Sequence, residues 1–213
     1  MKIARLTFNP FEEHTYILWD EESRDCAIID PGCYTPEEQQ QLVSYITENR
    51  LKVKHLLLTH LHLDHYFGVP FVSRTYGVQP QAGAADEPLL KIMPQQAQMF
   101  GTPLPDAPIP TGIHLDGGQT LRIGKEPLEV RSVPGHSQGS LAFYMPLSQA
   151  ICCGDALFCG SIGRTDLLGG DFKQLIRSIH TQLATLPAET VVYPGHGPET
   201  TIGDELQRNP YLQ

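Results

Sequence analysis

The stretch His55-Leu56-Leu57-Leu58-Thr59-His60-Leu61-His62-Leu63-Asp64-His65 decides how this chain is read. Its apolar run Leu56-Leu57-Leu58 has the pattern of a strand buried on both faces. Three imidazoles and a carboxylate follow within six residues, His60 to His65. Side chains alternate along extended backbone, so His60 and His62 can leave the strand end toward one metal ion. The turn that opens the next helix then swings Asp64 and His65 toward a neighbouring position.

Three other places supply matching groups. Pro134-Gly135-His136 follows an expected strand at 128–133, and Gly154-Asp155 follows Ala150-Ile151-Cys152-Cys153. Pro194-Gly195-His196-Gly197 follows Val191-Val192-Tyr193. Each candidate ligand thus lies just past the C-terminal end of a strand, where open α/β sheets hold their ligands. The adjoining glycines keep the backbone from crowding an ion.

Working outward, strands are expected at 2–8, 15–19 and 26–30, the last two joined by Asp20-Glu21-Glu22-Ser23. A helix should start at Thr35, with Pro36 in its first turn, Glu38 completing a capping box, and Leu42, Val43 and Ile46 facing the core. A second helix is expected from Val69 to Tyr76. Between Gln79 and Thr111 the prolines 80, 88, 94, 103, 105, 108 and 110 predict a long ordered loop with a helical piece over something functional, or a spacer. The second half repeats the grammar: strands at 119–123, 128–133, 140–145 and 150–153, a helix over 171–186 capped by Asp171 with Gln174 in the box position, a strand at 191–193 and a helix at 201–207. The alternation suits an α/β sandwich with helices on two outer faces.

Five imidazoles and two carboxylates are too many for one tetrahedral zinc and suit two metals that share a carboxylate. His60, His62 and His136 are assigned to the first metal, and Asp64, His65 and His196 to the second, with Asp155 bridging. A shared hydroxide would complete both shells, the metals lying about 3.5–4 Å apart. Zinc is the first expectation, and iron or manganese accept the same donors. A structural zinc site would be closed, four-coordinate and cysteine-rich, unlike this set.

These residues, in this order, resemble the metallo-β-lactamase superfamily. Asp30-Pro31-Gly32, Gly163-Arg164-Thr165-Asp166 and the tail Asn209-Pro210-Tyr211-Leu212 extend the resemblance to its glyoxalase II-like hydrolases of the short bacterial kind. The resemblance implies the metallo-β-lactamase αββα sandwich, two mixed sheets flanked by helices, with the metals at the sheet edge. It also implies hydrolysis of a thioester such as S-lactoylglutathione by the bridging hydroxide, with Asp64 and Asp155 as the catalytic carboxylates. Full-length glyoxalase II carries a C-terminal helical extension whose basic residues hold glutathione. This sequence runs 17 residues past His196, so a single domain over 1–213 without that full extension is expected. The rival within the fold is a persulfide dioxygenase-like oxidoreductase, whose single iron His60, His136 and Asp155 would hold.

Composition bounds the rest. With 213 residues, 40% hydrophobic and 18% charged, the chain is neither a polyelectrolyte nor a membrane span. A net charge of −9 argues against nucleic acid as a partner. Five cysteines without a C-x-x-C pair, and no signal-peptide pattern, point to the cytoplasm. The expected partner is a small-molecule thioester, glutathione-linked or similar. Asp30 is a candidate to orient a ligand imidazole, with an ordinary turn role equally weighted. Arg164 and Tyr66 are the candidate substrate contacts, with pairing to Asp166 and packing as their plainer roles. His14, His55, His114 and His180 read as surface or packing residues, His14 with a site contribution left open.

Overall fold

Strands β1 (Lys2–Phe8), β2 (Glu13–Trp19) and β3 (Asp25–Ile29) form an antiparallel meander in a computed structural model that describes residues 1–102 and 104–213. The chain then crosses through α1 (Pro36–Glu48) into β4 (Lys52–Leu57), which pairs parallel with β3. After α2 (Leu63–Tyr66) and α3 (Val69–Tyr76), strand β5 (Pro80–Ala82) continues the sheet in parallel. Helix α4 (Glu87–Phe100) leads to β6 (Ile113–His114), also parallel. The result is a six-stranded mixed sheet in sequential order.

The second sheet takes β7 (Thr120–Ile123), β8 (Glu126–Ser132), β9 (Leu141–Met145) and β10 (Ala150–Gly154) in antiparallel succession. A small hairpin, β11 (Leu157–Phe158) and β12 (Ser161–Ile162), and α5 (Phe172–Ser178) follow. Strand β13 (Val191–Pro194) pairs parallel with β10, β14 (Thr200–Thr201) closes that edge, and α6 (Ile202–Arg208) ends the fold. The protein is therefore an α/β sandwich of two mixed sheets flanked by helices.

Period-two alternation explains why these strands read as continuous apolar runs. Along β2, Tyr16 and Leu18 enter the layer between the sheets, whereas Ile17 and Trp19 pack in the outer layer with Leu42 and Ile46 of α1. Along β10, Cys152 faces inward with Phe143 and Val130, while Ile151 and Cys153 meet Leu175 and Ile202 outside. A strand covered on both faces has no polar side to show.

Local chemistry sets the helix starts. Thr35 Oγ1 accepts from Glu38 N and the Glu38 carboxylate returns to Thr35 N, a complete capping box. Asp171 accepts from Gln174 N, but the Gln174 side chain is engaged by Gln138, so the second box is only half formed. The helix expected over 171–186 runs as α to Ser178 and continues as a π turn over Ile179–Leu183. The largest departure is the proline-rich segment, where α4 spans 14 residues. Pro88 sits in its first turn, where no amide is needed. Pro94 lies on the exposed face, opposite buried Leu89, Met93 and Ala97, so burial of that apolar stripe outweighs the missing backbone bond. Pro103 of the same segment lies outside the described residues.

Candidate metal centre

Four loops at the C-terminal ends of β4, β8, β10 and β13 meet at one sandwich edge, and the seven sequence-derived ligands converge there. One donor atom from each of His60, His62 and His136 lies within 4.8 Å of the others, and the same holds for Asp64, His65 and His196. Asp155 stands between the two sets. Its Oδ1 is 3.3 Å from His65 Nε2, and its Oδ2 is 3.6 Å from His136 Nε2 and 3.7 Å from His196 Nε2.

Hydrogen bonds behind the rings decide which nitrogens face the centre. His136 Nδ1 donates to the Arg164 carbonyl at 2.8 Å and His196 Nδ1 to the Phe11 carbonyl at 3.1 Å. His65 Nδ1 donates to Asp30 Oδ2 at 3.0 Å. Asp30 also accepts from Thr59 N at 2.7 Å and from the Thr59 hydroxyl. With its one proton committed, the Thr59 hydroxyl can only accept from His60 Nδ1, 3.0 Å away. Four rings therefore turn Nε2 inward, each held in one tautomer. His62 instead presents Nδ1, 2.8 Å from His136 Nε2.

The donor set fits divalent cations. His60 Nε2 and His62 Nδ1 crowd His136 Nε2 at 3.2 and 2.8 Å, an arrangement of lone pairs that a shared cation relieves. Among the described residues, the buried His65 Nε2 and Asp155 Oδ1 have no hydrogen-bond partner although they face each other. These His and Asp clusters support divalent metal binding.

The two sets differ in charge. Burial, with the neighbouring rings, drives His60 far below the ordinary imidazole range, and burial lowers His62 to about 3. Both are neutral, as ligands must be. Burial acts the same way on His65, but the Asp155 and Asp64 charges beside it prevail and raise it well above the ordinary range. Burial opposes ionisation of Asp155 and Asp64 too, yet the His65 charge holds both below the carboxylate range. His196 is raised against the effect of burial by its 3.1 Å bond to Asp64 Oδ2.

Close backbone approach explains Gly195. A Cβ there would strike Asp155 Oδ1 and His65 Cε1, so the glycine makes room for the ligands themselves. Gly154, at φ +51°, is pressed against Thr59 in the same way.

Asp30 takes the orienting role rather than the plain turn role, and it holds a left-handed backbone (φ 49°) to do so. His14 braces the His196 loop, bonding the Gly197 carbonyl at 2.8 Å and Thr7 Oγ1 at 3.0 Å. Arg164 does border the cleft above the centre, but its guanidinium is clamped by Asp166 at 2.7 and 2.8 Å. Tyr66 is corrected: it is buried, and its hydroxyl both donates to and accepts from the Ile109 backbone, so it packs under α4 instead of facing the cleft.

Two supporting carboxyls were not foreseen. Asp86, buried in the segment before α4, accepts from Leu61 N, Ser137 Oγ and Gly139 N at 3.2, 2.6 and 2.6 Å, tying the His60–His62 loop to the His136 loop. Glu13, fully buried with its Oε1 4.0 Å from His65 Nδ1, is pushed well above the carboxylate range by burial. Neither sits in a motif, and only the preceding run Gly83-Ala84-Ala85, with no bulk to keep Asp86 at the surface, hints at one of them.

The chain and its fold have counterparts. The chain is 37% identical over 213 residues to the hydroxyacylglutathione hydrolase GloC of Haemophilus influenzae, covering 100% of this chain and 98% of that protein. Among solved structures it is similar to BLEG-1 B3 metallo-β-lactamase (TM-score 0.90, 32% identity, 99% of each chain). It is likewise similar to TTHA1623 in a di-iron-bound form (TM-score 0.86, 36% identity, 98% of this chain and 100% of that one). The model of the metallo-β-lactamase superfamily matches residues 9–196. Since that match takes in every one of the converging ligands, from His60 to His196, the chain belongs to the metallo-β-lactamase superfamily.

Proposed function

We propose that this protein is a binuclear metal-dependent hydrolase of thioesters, glyoxalase II-like, acting on S-lactoylglutathione or a similar small molecule. The observation that carries this reading is Asp155: its Oδ1 faces His65 and its Oδ2 faces both His136 and His196, so one carboxylate reaches both three-residue sets. Similarity to the hydrolase GloC supports the reaction class, and the di-iron form of TTHA1623 supports a two-metal count. Two cations there supply a water of lowered pKa as nucleophile and a Lewis acid for the thioester carbonyl.

The chain's own residues do the rest. Asp155 spans the sets and keeps them in register. Asp64, held ionised beside His65, accepts a hydrogen bond from the attacking oxygen and orients it. Asp30, Thr59 and the carbonyls of Phe11 and Arg164 lock four of the five imidazoles, those of His65, His60, His196 and His136. No side-chain nucleophile is needed. As a working unit we propose a single domain over residues 1–213, without a nucleic-acid partner. No helix among the described residues is long and apolar enough to cross a membrane.

Metal content per chain, measured on protein purified without added metal and paired with an S-lactoylglutathione assay, tests the reading. Two metals with turnover are expected. One iron, no hydrolysis and oxygen uptake with glutathione persulfide would transfer the protein to the dioxygenase class.

A further inference from the structure

The cleft above the metal centre has a floor and a wall of opposite character. The floor is the ligand set. The wall is apolar: Phe11, Leu63, Met99, Phe100 and Leu167 line the same cavity, of about 290 Å³. Met99 is 75% and Phe100 50% exposed, although both are large hydrophobic side chains at the last turn of α4. Phe100 is not loose there. Its ring meets Phe11 edge-on at 5.9 Å, and the Phe11 carbonyl is the acceptor that orients His196. The apolar wall is thus built onto the metal centre.

Charge sharpens the point. Glutathione brings two carboxylates and an ammonium, each needing a polar partner when withdrawn from water. Among the described residues lining the cleft, the one lysine or arginine is Arg164, and its charge is already matched by Asp166, which takes the Nε–Nη2 edge of the guanidinium. The volume, near the lower bound of about 300 Å³ for ligand sites, also suits a short chain better than a tripeptide conjugate.

We propose that the preferred substrates are thioesters with a hydrocarbon acyl chain, laid along the Phe11–Met99–Phe100 wall, and that these residues set specificity against glutathione conjugates. This rests on the hydrolase reading above. A methylene fully withdrawn from water is worth about fourfold in binding.

The test compares kcat/KM of the metal-loaded protein on acetyl and hexanoyl thioesters of N-acetylcysteamine and on S-lactoylglutathione. The hexanoyl ester should exceed the acetyl ester by about tenfold or more, and exceed S-lactoylglutathione. In M99S/F100S the hexanoyl-to-acetyl ratio should collapse toward one. Calorimetry with the non-hydrolysable S-hexyl thioether of N-acetylcysteamine reads the wall without turnover: the protein should bind it and the double variant should not. Equal acetyl and hexanoyl rates, S-lactoylglutathione as the best substrate, or no thioether binding would each overturn the proposal. Hydrolysis of none of the three esters would instead sink the hydrolase reading, leaving the thioether result to decide the wall.

Discussion

The two ligand sets sit side by side yet solve the problem of holding a cation differently. His60, His62 and His136 are three buried imidazoles with no carboxylate of their own, and burial keeps the first two neutral. Asp64, His65 and His196 mix a carboxylate with imidazoles whose proton affinity is raised. The first set is assembled by geometry, crowding lone pairs that want a cation. The second carries negative charge that must be balanced, by protons or by metal. Asp155 is the element the two have in common.

Removing that element should have the largest effect. Asp155→Ala is expected to lower thioester turnover by more than about 10³-fold, roughly 4 kcal/mol of barrier, with metal content per chain falling in parallel. Full metal content with near-normal turnover would dismiss the bridge and the comparison with it.

Asp30→Asn comes next. The amide has one acceptor oxygen, so it cannot serve both Thr59 N, which bonds Oδ1, and the His65 Nδ1 and Thr59 hydroxyl pair, which bonds Oδ2, and metal affinity should drop by about 10–100-fold. The loss should be greater at the His65 set, which Asp30 touches directly, than at the His60 set, reached through Thr59. Competition with a chelator, followed at each binding step, reads this. Equal losses would mean that Asp30 supports the loop as a whole.

The gentlest probe changes no residue. In protein stripped by chelator at pH 7, the His62 ring, lowered to about 3, should be neutral, and so should His60. His65, raised well above the ordinary range by Asp155 and Asp64, should be the imidazolium, and His196, raised by Asp64, should lose its extra proton at higher pH than a free imidazole. Nitrogen-15 histidine spectra distinguish the forms. Four neutral rings would erase the electrostatic contrast between the sets.

Much of the centre was legible in the one-dimensional chain, because metal ligation demands particular side chains at strand ends and those leave compact motifs. His60-Leu61-His62-Leu63-Asp64-His65, Gly135-His136, Gly154-Asp155 and Gly195-His196 are local in sequence, and the strands that position them announce themselves as short apolar runs. Capping did the same for α1, whose box involves only Thr35 and Glu38. The proline-rich segment resisted, since α4 exists by burying Leu89, Met93 and Ala97 against a core made elsewhere, and local propensity alone disfavours Pro94 within it.

What the sequence by itself determined was the set of candidate donors, the compact motifs that carry them and the layered fold that brings strand ends together. What only the tertiary structure decided was which polar groups stand behind the donors and what walls stand above them. Asp30 lies 35 positions from His65, Asp86 lies 51 from Ser137, and Phe11 lies 185 from His196. Such pairs follow no period, because each is set by how two sheets and a helix happen to pack, and packing is a property of the whole chain.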